Sequence, residues 1–284
     1  MKRNYFKDKV IIVTGASSGI GLASVKLFAS YGAKVVMAAR SADKLEQEAA
    51  GIMAKCENEQ GLPKPELLCV PTDVTIEEDC KTLIDKTIEK FGKIDILVNN
   101  AGMSMRANFI DLDLCVLKRL MDVNFWGTVY CTKYALPWLL KSKGSVVGVI
   151  SIAGYSGLPG RTGYSASKYA IRGFLDTLRI EHLYDGLHVM VFAPGFTASN
   201  VRFAALTADG TPQGKTPRDE GKMMSAEKVA LHLAKGLYHR RDTVTLTPIG
   251  KATVIMHNLF PRFTDWAEFR FMEKEPDSPF KHNK

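Results

Sequence analysis

An α/β fold, with a Rossmann-like doubly wound parallel sheet carrying helices on both faces, is the architecture this sequence predicts. Three observations predict it. Short apolar runs rich in β-branched residues alternate with longer amphipathic stretches; the first run leads straight into a glycine-rich turn; and 284 residues at 46% hydrophobic composition can bury one substantial core without disulfides. No repeat or long low-complexity linker demands a second domain. Residues 1–250 are therefore expected to form one domain, followed by an extension over residues 251–284.

Residues 10–13 form a buried first strand and pass directly into Thr14-Gly15-Ala16-Ser17-Ser18-Gly19-Ile20-Gly21. Glycine permits the tight turn and a close approach of phosphate. Leu22, Val25, Leu27 and Phe28 then mark a partly buried helix, whose free N-terminal amides and positive dipole end suit a pyrophosphate. The glycine spacing is wider than GxGxxG, and no lysine closes the loop as a GxxxxGK[ST] triphosphatase loop requires. Residues 34–39, 66–70 and 94–98 are the next strands, with a crossover helix over residues 79–91. Residues 145–150 and 188–192 extend the sheet around a helix over residues 162–184, and residues 243–247 are a weaker terminal strand.

On that last helix Tyr164 and Lys168 stand at i and i+4 and so face one side. A tyrosine ordinarily ionises near pH 10, and a neighbouring ammonium favours the phenolate, which brings proton exchange closer to neutrality. The same pair taken alone is also an ordinary helix surface. Combined with the nucleotide turn and Ser151 upstream, it points to acid/base chemistry on a carbonyl.

The remaining composition narrows the class. Cys56, Cys69, Cys80, Cys115 and Cys131 are scattered without CxxC or paired His/Cys spacing, so reduced thiols are expected and no metal site is. The N-terminal residues lack an apolar leader, and no run approaches the roughly 20 apolar residues that span a bilayer. A cytoplasmic protein, or one on the cytoplasmic face of a membrane, is the expectation. The formal charge of +8 permits attraction to anionic lipids or acidic substrates; without a sustained Arg/Lys stripe or paired aromatic motifs, no nucleic-acid partner is expected.

TGASSGIG at 14–21, NNAG at 99–102, Ser151, YSASK at 164–168 and Pro194-Gly195 occur in the order of the short-chain dehydrogenase/reductase family, which the chain resembles over roughly residues 8–200. The resemblance implies a Rossmann fold, a nicotinamide cofactor and reversible interconversion of a ketone and a secondary alcohol. It makes Asn124, Ser151, Tyr164 and Lys168 the catalytic set, with Tyr164 the proton donor and Lys168 also holding ribose hydroxyls. Asn124 supports a water-mediated proton route. Expected cofactor contacts are Gly15, Ser17, Ser18, Gly19, Ile20, Gly21, Asp73 at the adenine, Asn100, Ala101, Gly102, Tyr164, Lys168, Pro194, Gly195 and Thr197. Asp73 also reads as a helix cap or turn residue.

At the end of the second strand Ala39 is followed by Arg40, where an acidic group would bind a free ribose diol; a cation there favours the 2′-phosphate of NADP(H), with Ser17 as a further donor. Ser151, Tyr155, Tyr164, Phe196, Val201, Phe203 and Leu206 are the expected substrate contacts, the last four on a mobile loop over residues 196–221. They suit a hydrophobic ketone. The pattern resembles reductases of 3-ketosphinganine, while a hydroxysteroid or generic carbonyl reductase, or a noncatalytic NADPH-binding sensor, stays open. A homodimer or homotetramer is implied by the family, through helices near residues 105–135 and 160–185. The extension mixes Ile255, Leu259, Phe260, Phe263, Trp266 and Phe271 with Arg262, Arg270 and Lys274 around Pro261, as a lid, an oligomer contact or a membrane-surface segment would.

Overall fold

A computed structural model describes residues 1–58, 63–197, 201–216, 221, 223–276 and 278–280. In chain order its regular elements are β1 (Val10–Thr14), α1 (Gly19–Ser30), β2 (Lys34–Ala39), α2 (Ala42–Asn58), β3 (Glu66–Pro71), α3 (Glu77–Phe91) and β4 (Ile96–Asn99). These are followed by α4 (Leu114–Leu120), α5 (Gly127–Ser142), β5 (Ser145–Val149), α6 (Thr162–Glu181), β6 (His188–Ala193), α7 (Ala226–Tyr238), β7 (Thr243–Thr245), α8 (Pro248–Leu259) and α9 (Pro261–Glu273). Among the described residues the strands form one sheet in the order β3-β2-β1-β4-β5-β6-β7, each neighbouring pair parallel.

The continuous apolar character of the strands follows from burial on both faces. Ile11, Val13, Val35 and Met37 point into one layer with Val25 and Phe28 of α1, Leu45 of α2 and Leu233 of α7. Val10, Ile12, Val36 and Ala38 point the other way, against Leu83 of α3, Leu139 of α5 and Leu175 of α6. Each such side chain contributes roughly 1.5–3 kcal/mol when fully buried, so the two layers lock the strand register. Gly148 in β5 lets α6 close in: a Cβ there would lie 2.3 Å from Leu175 Cδ1.

Strand order reverses between β1 and β4, and the carboxyl ends of these strands and of β5 open on one crevice. The predicted fourth strand starts two residues late, where Asp95 is engaged at the start of β1: its Oδ2 accepts from Val10 N, and its own N donates to Val10 O. The catalytic-side helix ends at Glu181 rather than residue 184. Pro261 splits the extension into α8 and α9, and α8 begins at Pro248, inside the predicted domain boundary. None of the described helices is long and apolar enough to cross a membrane. The five cysteines are free, and among the described residues no three His, Cys, Asp or Glu side chains cluster as metal ligands would.

Candidate active site

The glycine turn after β1 is built for close approach. Gly15 has φ +66°, and a Cβ on it would sit 2.9 Å from Ala101 Cα; a Cβ on Gly21 would sit 2.1 Å from Gly15 O. Helix α1 starts at Gly19 behind Ser18, whose side chain makes no capping bond, so the N-terminal amides remain directed at the crevice. Thr14, which sequence reading left as part of the motif, is the residue that joins the two halves. Its Oγ1 accepts from Asn100 N and Ala101 N, both at 3.0 Å, while Asn100 Nδ2 donates to Thr14 O at 2.9 Å. A threonine opening a glycine run at a strand end was the signal for it. Gly15, Gly21, Asn100 and Ala101 are thereby brought together, and the cradle fits the pyrophosphate of a dinucleotide.

Arg40 is exposed directly after β2. Asp73 is drawn into its own turn: Oδ1 accepts from Thr75 N at 3.0 Å and Thr75 Oγ1 at 2.8 Å. Its turn role is thus observed, as an Asx-type bond that orders the entry to α3. Pro194 is buried beyond β6, and Gly195 and Thr197 follow it; Thr197 Oγ1 donates back to Gly195 O at 3.1 Å.

Asn124 lies fully buried in a π-helical turn, Met121–Trp126, between α4 and α5. Widening of a helix by one residue commonly marks a functional position. Here it aims the amide so that Oδ1 accepts from Met103 N at 2.8 Å, while Nδ2 donates to Met103 O at 3.0 Å and to Ser167 Oγ at 2.8 Å. Asn124 therefore clamps the loop after β4 to α6. Gly102 lies between Asn124 and Lys168: a Cβ there would be 3.1 Å from Asn124 Oδ1 and 3.4 Å from Lys168 Nζ.

Ser151, just past β5, accepts from Ala153 N at 3.3 Å, and its hydroxyl favours the ionised form of Tyr164. Lys168 is buried, with Nζ donating to Val149 O at 2.8 Å and lying 5.8 Å from the Tyr164 ring centre. Burial lowers the Lys168 pKa to about 8. The expected depression of Tyr164 by Lys168 is not what the structure shows. Burial raises the Tyr164 pKa, opposed by the Ser151 hydroxyl and by the charge of Arg161. Lys168 Nζ is hydrogen-bonded to the strand-end carbonyl of Val149 instead.

Arg161 is the residue that sequence reading missed. It precedes α6, is buried, and donates from Nη1 to Ser104 Oγ at 3.2 Å and Met105 O at 3.1 Å. A basic residue one turn before the tyrosine was its only sequence signal.

An apolar wall of Met103, Met105, Leu117 and Leu206 packs beside Tyr164. Leu206 of the predicted substrate set is thus placed at the tyrosine. Tyr155 is not: it packs in the layer with Ile171 and Leu175, and Arg172 stands 4.1 Å from its ring centre. That corrects its expected place, because the turn after Ser151 directs the ring under the sheet edge. Phe196, Val201 and Phe203 stand partly exposed at the outer rim. The loop was expected to be mobile, but its described part is fastened. Leu206 N donates to Ser104 O at 2.9 Å and Arg106 N to Leu206 O at 2.8 Å, while buried Arg202 donates to Thr197 O at 2.8 Å. Residues 198–200, 217–220 and 222, within or beside that predicted loop, lie outside the described residues. A cavity of about 380 Å³, lined by Gly157, Leu158, Pro159, Asp265, Glu268 and Phe269, separates the segment leading to Tyr164 from α9.

Comparison with known proteins agrees with this geometry. The family model for short chain dehydrogenases matches residues 9–208. A "Dehydrogenase/reductase SDR family protein 7-like" of Dictyostelium discoideum is 31% identical over 268 residues, covering 94% of this chain and 82% of the relative. The "11-beta-hydroxysteroid dehydrogenase 1A" of Arabidopsis thaliana is 33% identical over 276 residues, covering 91% and 74%. Among solved structures, an alcohol dehydrogenase from the archaeon Thermococcus sibiricus complexed with 5-hydroxy-NADP superposes with a TM-score of 0.71 at 25% identity, covering 84% of this chain and 96% of that one. A short-chain dehydrogenase/reductase from Burkholderia phymatum in complex with NAD gives 0.79 at 23%, covering 93% and 96%, and shows the shared fold. The chain belongs to the short-chain dehydrogenase/reductase family, NAD(P)-dependent oxidoreductases of carbonyl and alcohol groups.

Proposed function

We propose that the protein is an NADP(H)-dependent reductase of a hydrophobic ketone, forming a secondary alcohol. The observation that carries this is Tyr164, buried on the same helix as Lys168, under the influence of Ser151 and packed against the apolar cluster that holds Met105 and Leu206. The bound nicotinamide supplies the hydride. Tyr164 gives its proton to the developing alkoxide, and Ser151 donates a hydrogen bond to the same oxygen. Lys168 holds the ribose side, and Asn124 keeps the Met103 loop and α6 in register. An apolar wall with few polar groups favours a lipid-like ketone, of which 3-ketosphinganine is the first candidate and a steroid ketone the second. Turnover with NADPH of 3-ketosphinganine, steroid ketones and short hydrophobic ketones, read as product formed, tests this reading. Binding of NADPH without turnover of any of them would turn it into a sensor.

Preference for NADP(H) is supported by Arg40, whose guanidinium can pair with a 2′-phosphate. Replacing Arg40 by Asp is expected to raise the KM for NADPH by at least roughly tenfold and to improve relative use of NADH, since a charge-assisted pair is lost and a repulsion gained. Unchanged discrimination between the two cofactors would remove Arg40 from the site.

The charge of buried Arg161 favours the phenolate of Tyr164. In alcohol oxidation, where Tyr164 must accept a proton, Arg161→Gln is expected to move the alkaline rise of kcat/KM to higher pH, and Arg161→Lys to restore it in part. An unmoved profile in a folded Arg161→Gln protein would reduce Arg161 to a loop anchor. A homo-oligomer is supported by exposed Leu114, Trp126, Ile180 and Leu183 on or beside the helices expected to meet; sedimentation equilibrium showing only monomer would reject it.

A further inference from the structure

Helix α9 is amphipathic in the inverted sense. Thr264, Glu268 and Met272 lie on the side turned toward the domain, whereas Phe263, Trp266 and Phe271 are turned outward. Trp266 is 59% exposed and Phe263 55%, and their rings lie 5.9 Å apart. The apolar surface runs on through Phe260 at the junction to Leu259 and Ile255 of α8, 65% and 58% exposed and one helical turn apart. A patch of this extent is unusual on a surface that meets only water.

Nothing loose explains that orientation. The carboxylate of Glu268 is turned toward the domain with its Oε2 buried and unpartnered among the described residues, and burial pushes its pKa up to about 6. Past α9 the chain is pinned to the loop after β4: Arg106 pairs with Glu275 at 3.4 Å and donates to Pro276 O at 2.8 Å, while Asn108 Nδ2 donates to Pro279 O at 3.0 Å. These bonds hold α9 with a carboxylate inside and aromatic rings outside. In water both choices cost free energy.

Charge selects what covers the outer face. Lys251, Arg262, Arg270 and Lys274 are exposed among and beside these rings. Helix α8 carries no acidic residue, Glu273 is paired with Arg270 at 3.1 Å, and Asp265 lines the cavity instead. With Arg270 paired to Glu273, a second copy seated on this face would still bring Lys251, Arg262 and Lys274 toward the same three cations. An anionic bilayer surface meets both requirements, accepting the rings among its acyl chains and the cations among its headgroups. We infer that the outer face of α8 and α9 docks the protein on an anionic membrane surface, with Phe260, Phe263 and Trp266 inserted and Arg262 and Lys274 at the headgroups. Phe196 at the cleft rim lies 6.4 Å from Phe271, so docking brings the mouth of the substrate cleft to the lipid. The docking deepens the reading of a lipid-like substrate, but its test needs no turnover.

Full-length protein is floated with vesicles of pure phosphatidylcholine and with vesicles containing 30% phosphatidylglycerol by design, at low and moderate salt. Binding is expected on the anionic vesicles and to weaken with salt. Phe263→Ser with Trp266→Ser should lower the bound-to-free ratio at least roughly tenfold, and Arg262→Ser with Lys274→Ser by about fivefold per cation. A thermal melt like that of the parent certifies each variant as folded; should the aromatic pair melt early, Trp266→Ser alone is used. No flotation of the parent protein, or flotation that neither variant changes, would overturn the proposal. So would a parent dimer in sedimentation equilibrium that the aromatic variant converts to monomer without any lipid binding, since the face would then join two copies. If flotation behaves as expected while no ketone is reduced, the docking stands and the proposed reaction falls.

Discussion

Tyr164→Phe is expected to reduce ketone reduction by roughly 10²–10⁴-fold in kcat while leaving the cofactor dissociation constant almost unchanged. The ring would keep its packing in the apolar cluster with Met105 and Leu206, and Ser151 would keep its bond from Ala153 N, so the fold is left intact. What disappears is the proton that the alkoxide must receive. Because the phenol acts on the transition state and not on the nucleotide, the loss belongs in kcat and not in cofactor affinity. Stopped-flow or steady-state product formation on the substrate found by screening, alongside fluorescence titration with NADPH, separates the two. Near-parental turnover in a folded Tyr164→Phe protein would remove Tyr164 from the chemistry and leave the cofactor cradle untouched.

The parts of the site that could be read from sequence are those whose geometry is local. The turn from Thr14 to Gly21 is specified by backbone requirements that glycine alone meets, and Tyr164 and Lys168 share a side because a helix puts i and i+4 together. Strands β2, β3 and β6 were legible for the same reason, as uninterrupted apolar runs between turn signals. What escaped depends on contacts between distant segments. Arg161 matters because Ser104 and Met105, 57 and 56 residues away, hold its guanidinium. Tyr155 was misplaced because its neighbours, Ile171, Arg172 and Leu175, come from the far turns of α6. The inward turn of Glu268 runs against the amphipathic pattern that sequence reading relies on.

Lys168→Met is expected to give a protein that is inactive and yet more stable at neutral pH. The ammonium is buried and its pKa falls to about 8 from 10.5, which at about 1.36 kcal/mol per unit is a cost to the folded state on the order of 3 kcal/mol. Methionine fills similar space without charge; it leaves Val149 O without its partner, a loss of about 1–2 kcal/mol. The difference leaves a net gain of about 1–2 kcal/mol, or a Tm higher by a few degrees, roughly 2–6 °C for a chain of this size. The pH dependence fixes the sign independently. Between pH 8 and 10.5 the unfolded chain holds the lysine proton that the folded chain has released, so the parent protein gains stability as pH rises through this window. The advantage of the variant should therefore be constant below about pH 8 and shrink above it, reversing by pH 10.5 once only the lost Val149 bond remains. Thermal melts of both proteins at pH 7 and pH 10 measure this directly. A variant less stable than the parent at pH 7 would mean that the buried ammonium is compensated by its surroundings, and that Lys168 holds the fold together as well as the cofactor.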